Sequence, residues 1–142
     1  MNDNMNICVD GQQYSGEQSD RILLQTTGTL VQKESAWYIT YLERAEDGAE
    51  TKVTLKLQPN RAVMLRSGAG STRMEFCPEC DTPCSYDTGA GILPMIVRTH
   101  AVIASVSSSG GTVELIYSLL AQNDLLSKND VQITLTPLYE SL

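Results

Sequence analysis

The sequence is poor in histidine, tryptophan and phenylalanine, with one of each. A single histidine, His100, excludes any metal site built from several imidazoles, and it leaves His-based catalysis dependent on another group such as a cysteine. No apolar run approaches the ~20 residues that a membrane-spanning helix needs. Basic runs are absent too: ten Lys and Arg lie scattered against 17 Asp and Glu, for a formal net charge of −7. An acidic surface without a basic patch repels phosphate, so nucleic acid and anionic membrane are poor partners. The N-terminal stretch MNDNMNICVDGQQYSG is polar and acidic and lacks the basic start and apolar core of a secretory leader. The expectation is a cytoplasmic protein. Its four cysteines are then thiols or metal ligands rather than structural disulfides. No repeat, linker or low-complexity tract divides the 142 residues, which reads as a single domain over 1–142.

What is present is β-pattern. Arg21 to Lys33 (RILLQTTGTLVQK) reads as a long strand bent at Gly28, or two strands meeting there. Ala36 to Glu43 (AWYITYLE) is β-branched and aromatic, and Asp47-Gly48 after it is a tight-turn pair. Thr51 to Leu57 alternates, with Val53, Leu55 and Leu57 on one face. Pro59-Asn60 makes the next turn. Arg61–Ser67 and Thr72–Cys77 form a hairpin around Ser-Gly-Ala-Gly. Its connection can be even or odd in length. The even form puts Val63 and Leu65 with Met74 and Phe76, and Met64, Arg66, Arg73 and Glu75 on the other face. Because a one-residue slip flips every side chain, the form that separates apolar from charged residues is the expected one.

Cys77 to Asp87 reads as a loop with two prolines. Ile92 to Val106 is apolar on both faces, as in a strand buried on both sides, with a bulge expected at Pro94. Thr112 to Ala121 fits both strand and helix periodicity; its Thr-Val start and its neighbours favour strand. Val131 to Thr136 alternates once more. Eight to ten strands joined by tight turns predict an all-β, antiparallel, up-and-down barrel, because closure removes the free edges of so many strands.

Three ordered segments carry a resemblance: AVMLRSGAGSTRMEF (62–76), YDTGAGILPMIVRT (86–99) and GGTVELIYSL (110–119). The chain resembles the YwiB-like family, small bacterial proteins with a calycin-type, lipocalin-like β-barrel. The family's pattern falls on Arg66, Gly68, Phe76, Tyr86, Thr88, Gly91, Leu93, Met95, Val97, Thr99 and Tyr117. The resemblance implies a barrel related in architecture to lipocalins and fatty-acid-binding proteins, and it implies no activity. Where the family has a short Gly-containing loop after the Phe, this chain has CPECDTPC, so any role of these cysteines belongs to this branch.

Cys77, Cys80 and Cys84 give C-x2-C-x3-C, three thiolates that can share a Zn²⁺ with Cys8, His100 or Asp81 as fourth ligand. The same spacing serves reversible dithiol chemistry or a plain strand-connecting loop. No other cofactor is expected. Arg66, Arg73, Glu75 and Arg98 either hold a carboxylate or phosphate from within the barrel or pair across strands outside it; the expected register places them outside. Trp37, Tyr38, Tyr41, Tyr86 and Tyr117 line a ligand pocket or form core. The candidate ligand-binding residues are Arg66, Tyr86, Arg98, His100 and Tyr117. SGAGST lacks the Lys and the helix of a phosphate loop. With no nucleophile–base pair or carboxylate pair evident, no catalytic residue is assigned and an enzyme is not expected. The leading reading is a binder of a small amphipathic ligand in the barrel. The alternatives are an interaction module acting as a homodimer and a metal-stabilised or redox-sensing variant.

Overall fold

Short turns connect every strand to the next, which leaves antiparallel neighbours as the natural pairing. The computed structural model describes residues 3–68, 70–87 and 90–138, without the side chains of Tyr86 and Asp87. It contains β1 (Met5–Ser15), β2 (Gln18–Lys33), β3 (Ala36–Arg44), β4 (Glu50–Gln58) and β5 (Arg61–Ser67). These are followed by β6 (Ser71–Phe76), β7 (Asp81–Asp87), β8 (Ile92–Ser107), β9 (Gly110–Ala121) and β10 (Asp124–Pro137). Each strand pairs with its sequence neighbours, and β1 closes on β10 from Met5↔Pro137 to Tyr14↔Lys128. The expected up-and-down barrel is borne out.

Alternation sets the core. Met5, Ile7 and Val9 of β1, Val53, Leu55 and Leu57 of β4, and Val113 and Leu115 of β9 are all buried on the inner face. Phe76, Ile39, Val97 and Ile133 complete an interior in which all four are at most 0% exposed. The barrel axis is thus filled by side chains, as small barrels permit. Gly28 is needed inside β2. A Cβ there would collide with the Thr40 carbonyl and come within 2.6 Å of Ile7 Cδ1.

Several expectations change. The polar N-terminal stretch is a strand, β1, because Met5, Ile7 and Val9 alternate inward while Asn6, Asp10 and Gln12 face outward. Cys77–Asp87 is a turn plus β7 rather than a loop. Of the two arrangements expected for Arg21–Lys33, the single long strand is the one formed, within β2. In β8 the irregularity falls between Thr99 and Ala101, and Pro94 pairs regularly with Ser85. The outer face of β8 is not buried: Ile92, Ile96 and Ile103 are exposed. Thr112–Ala121 is strand, as favoured.

The β5–β6 register is the one not expected. Met64 faces Met74, Leu65 faces Arg73 and Val63 faces Glu75. Ala62, Met64, Met74 and Phe76 point inward, and Leu65 is left 45% exposed. Separation of apolar from charged residues misleads here because the inner face stops being core where the strand reaches the barrel rim. Arg66 follows Met64 on that inner face and meets water at the rim. The turn after Ser67 packs tightly against the start of β4, so that a Cβ on Gly68 would lie 2.8 Å from the Glu50 carbonyl oxygen.

Candidate functional site

The end of the barrel that carries the β3–β4 and β5–β6 turns is its upper rim. Arg66 of β5 and Glu43 of β3 occupy inward-facing positions there and form an ion pair, with side chains 34% and 28% exposed. Directly below, Tyr41 and Tyr117 are buried, and the Tyr117 ring meets Phe76 edge-on at 4.9 Å. Burial pushes the Tyr117 hydroxyl up to about 12, against the opposing pull of the Arg66 charge. Burial, and then the Glu43 carboxylate, raises Tyr41 as well. The tyrosines therefore form a neutral floor beneath a charged rim.

Beside that rim lies a groove of about 570 Å³ over β4 to β8. Lys52 and Arg73 bring outward-facing cations to it, and the backbone of β5 at Arg66, whose side chain turns to the inner face, also lines it. Hydroxyls come from Thr54, Ser67, Ser71 and Ser85, and apolar surface from Leu65 and Ile92. No Asp or Glu is among the described residues that line it, in a chain of net charge −7. Arg66 gives one terminal nitrogen to Glu43 and Arg73 one to Glu75. A guanidinium carries five N–H donors, so both keep donors for a further acceptor. Lys52 has no ion-pair partner among the described residues. Beneath the groove, the β6–β7 ladder among the described residues pairs at Thr72↔Tyr86. A second recess, about 710 Å³, opens where β2 leaves β3 above Gly28 and Tyr41; it includes Asp3 and Arg44 and shares Lys52.

The sequence candidates separate. Arg66 lines the groove and Tyr117 lies under its rim, whereas the Tyr86 side chain lies outside the described residues. Arg98 sits lower on the outer wall, where it donates two hydrogen bonds of 2.9 Å to Asp81. That contact holds the Asp81 carboxyl below its ordinary range, with a smaller contribution from His100. The His100 ring lies 2.9 Å from Ser118 Oγ, away from the groove. Neither Arg98 nor His100 joins Arg66, because the strand spacing puts them near the opposite end. Arg66, expected outside, faces in, while Arg73 and Glu75 are outside and pair across the surface. Among the aromatics, Tyr41 and Tyr117 are core, Trp37 packs against it, and Tyr38 lies outside with Lys56 Nζ 5.8 Å from its ring centre.

The cysteines also divide. The Cys77 and Cys80 sulfurs lie 3.1 Å apart. Cys84 points the other way into the core and is 4% exposed, where burial raises its thiol. Alternation along β7 puts Cys84 inside the wall and the turn outside it, so the three-thiolate set is not assembled. Of the proposed fourth ligands, Cys8 is on β1, and His100 and Asp81 are engaged as described. Among the described residues no group of three or more His, Cys, Asp or Glu is arranged to hold a metal ion. The groove hydroxyls and Lys52 went unnoticed in the sequence. They sit on polar faces of ordinary alternating strands, and only the side-by-side pairing of β4 through β8 brings them together.

Comparison with known proteins bears out the resemblance drawn from the ordered motifs. The chain is 22% identical over 113 residues to "Uncharacterized beta-barrel protein YwiB" of Bacillus subtilis (strain 168), covering 80% of this chain and 79% of that protein. The crystal structure of ywiB protein from Bacillus subtilis has the same fold, with a TM-score of 0.87 at 19% identity over 96% of this chain and 93% of that one. Residues 7–133, from the start of β1 deep into β10, match the family described as "Domain of unknown function (DUF1934)", and the chain belongs to that family.

Proposed function

We propose that this protein is a non-catalytic binding module that takes a small amphipathic anion, with a carboxylate or phosphate head, in the groove at the upper rim. The observation that carries this reading is the concentration of Lys52, Arg73 and the hydroxyls of Thr54, Ser67, Ser71 and Ser85 in one recess of an acidic protein, beside the rim arginine Arg66 and with no carboxylate among its described lining. Guanidinium donors suit planar or tetrahedral anions, and Leu65 and Ile92 offer a short apolar tail a wall. Because the core is packed with side chains, this reading puts the ligand at the rim rather than in the lumen, the site expected from the sequence.

The test is a titration with decanoate, decyl phosphate and decanol, followed by calorimetry and by thermal unfolding. The anionic pair raises Tm in proportion to occupancy, by mass action on the native state. Binding weakens with added salt, and Lys52→Glu lowers affinity about tenfold or more, as reversal of a contact charge does. Equal binding of decanol and the anions, or no effect of Lys52→Glu, overturns the reading.

A further inference from the structure

At the lower end of β6 and β7, Cys77-Pro78-Glu79-Cys80 forms a four-residue turn closed by a 3.0 Å hydrogen bond from the Cys80 amide to the Cys77 carbonyl. Pro78 suits the second position of such a turn, and Glu79 takes the left-handed conformation of the third, φ 64°. The turn is held from outside as well. The Glu79 amide donates to the Thr99 carbonyl at 3.1 Å, and the Thr99 amide donates to the Cys80 carbonyl at 3.3 Å. Asp81, the next residue, is clamped by Arg98. This backbone sets the two sulfurs 3.1 Å apart, with Cys80 exposed and Cys77 half-buried.

We propose that Cys77 and Cys80 form a thiol–disulfide exchange site whose co-substrate is a low-molecular-weight disulfide. Bonding requires the sulfurs to close to about 2.05 Å, roughly one ångström nearer than they stand. Cys80 is the accessible sulfur and attacks first. Its proton passes to solvent, the small disulfide's S–S bond breaks, and one thiol leaves, so that Cys80 carries a mixed disulfide. Cys77 then attacks the Cys80 sulfur and gives up its own proton. The second small thiol departs and the Cys77–Cys80 bond forms. The protein loses two protons and two electrons, and the small disulfide gains them as its two thiols. Cys84, sealed in the core, and Cys8, on a different strand, take no part. The site lies at the opposite end of β6 and β7 from the groove, and its chemistry does not involve the groove.

The neighbourhood sets the pace. The hydrogen bond with Cys77, then burial, and then the charges of Cys77, Glu79 and Asp81 hold the Cys80 thiol above its ordinary value. Thiolate is the attacking form, so exchange accelerates as pH rises from 7 to 9.

The test equilibrates the full chain in mixtures of reduced and oxidised glutathione, then quenches with an alkylating agent and maps the products by peptide mass. The expected result is a two-electron transition to an internal Cys77–Cys80 disulfide. Its equilibrium constant should exceed that of the same chain in denaturant by about tenfold, since the turn raises the local concentration of one thiol at the other. Cys77→Ser traps one glutathione on Cys80, and Cys8→Ser leaves the transition unchanged. The inference is overturned if the pair stays reduced when oxidised glutathione is in excess. Bonds to Cys84, Cys8 or a second chain, or an equal constant in the denatured chain, overturn it as well.

Discussion

Replacing Phe76 with alanine asks whether the barrel interior is core or chamber. Phe76 is 0% exposed, and its ring lies edge-on to Tyr117 at 4.9 Å. Truncating a fully buried Phe costs ~3–5 kcal/mol, through lost transfer energy and the cavity left behind. Loss of the aromatic pair supplies about 0.5–1.5 kcal/mol of that total. For a chain of this size each kcal/mol lowers Tm by roughly 3–4 °C, so the expected drop is about 10–20 °C. Urea unfolding followed by the fluorescence of Trp37, the sole tryptophan, should show a lower midpoint with an unchanged slope. Ile103→Ala, on the outer face where the side chain is 56% exposed, serves as the control, with a change within about 1 kcal/mol. A loss under about 1 kcal/mol for Phe76→Ala, or a gain, would mean that the interior tolerates empty space as a ligand chamber does. In that case the placement of the ligand at the rim would be wrong. Unaltered affinity of the Phe76 variant for a groove ligand, measured below its lowered Tm, would separate core from site.

Other outcomes follow from the same geometry. Gly28→Ala forces a methyl group against the Thr40 carbonyl and Ile7; it should destabilise by about 2 kcal/mol or more, or abolish soluble expression, as overpacking does, and a neutral result in urea unfolding would contradict the β2–β3 approach. Tyr117 is raised to about 12 in the folded state from an unfolded value near 10, so its contribution is intact below pH ~10 and is lost as pH rises through the folded value; Tyr117→Phe should flatten the alkaline fall in stability and remove amplitude from the highest-pH phase of the tyrosinate absorbance titration. Burial, and then the neighbouring Glu114 and Asp10, raise the Asp130 carboxyl, so the folded state binds its proton more readily than the unfolded one and is penalised at neutral pH. Asp130→Asn should therefore stabilise by a few tenths of a kcal/mol at pH 7, and thermal melts at pH 3, where the carboxyl is protonated in both states, should show no gain.

The course of the chain was legible where local chemistry decides the outcome. Alternation in TKVTLKL assigned β4 and its inner face, and Asp47-Gly48 and Pro59-Asn60 marked real turns. A barrel followed from the number of strands and the need to hide their edges. β1 escaped notice because its acidic and amide residues, which face water, outweigh Met5, Ile7 and Val9 in any composition window. β7 escaped because two prolines and three cysteines over 77–84 read as loop, although one proline sits in the turn and the other is accommodated in the β7–β8 pairing.

The functional geometry was a tertiary matter. Arg66 and Leu65 are neighbours in sequence, and which of them faces the lumen depends on a single residue of register in the turn between β5 and β6. Pattern alone chose the separated arrangement; packing of that turn against β4 and of Met64 against Met74 chose the other. Lys52 and Thr54 on β4, Ser71 on β6 and Ser85 on β7 share no local signal, so only the pairing of β4 through β8 makes them one groove. The cysteines were visible as a spacing from the outset. Whether three act together or two depends on the inward turn of Cys84, which the alternation of β7 imposes only once β7 is a strand of the wall.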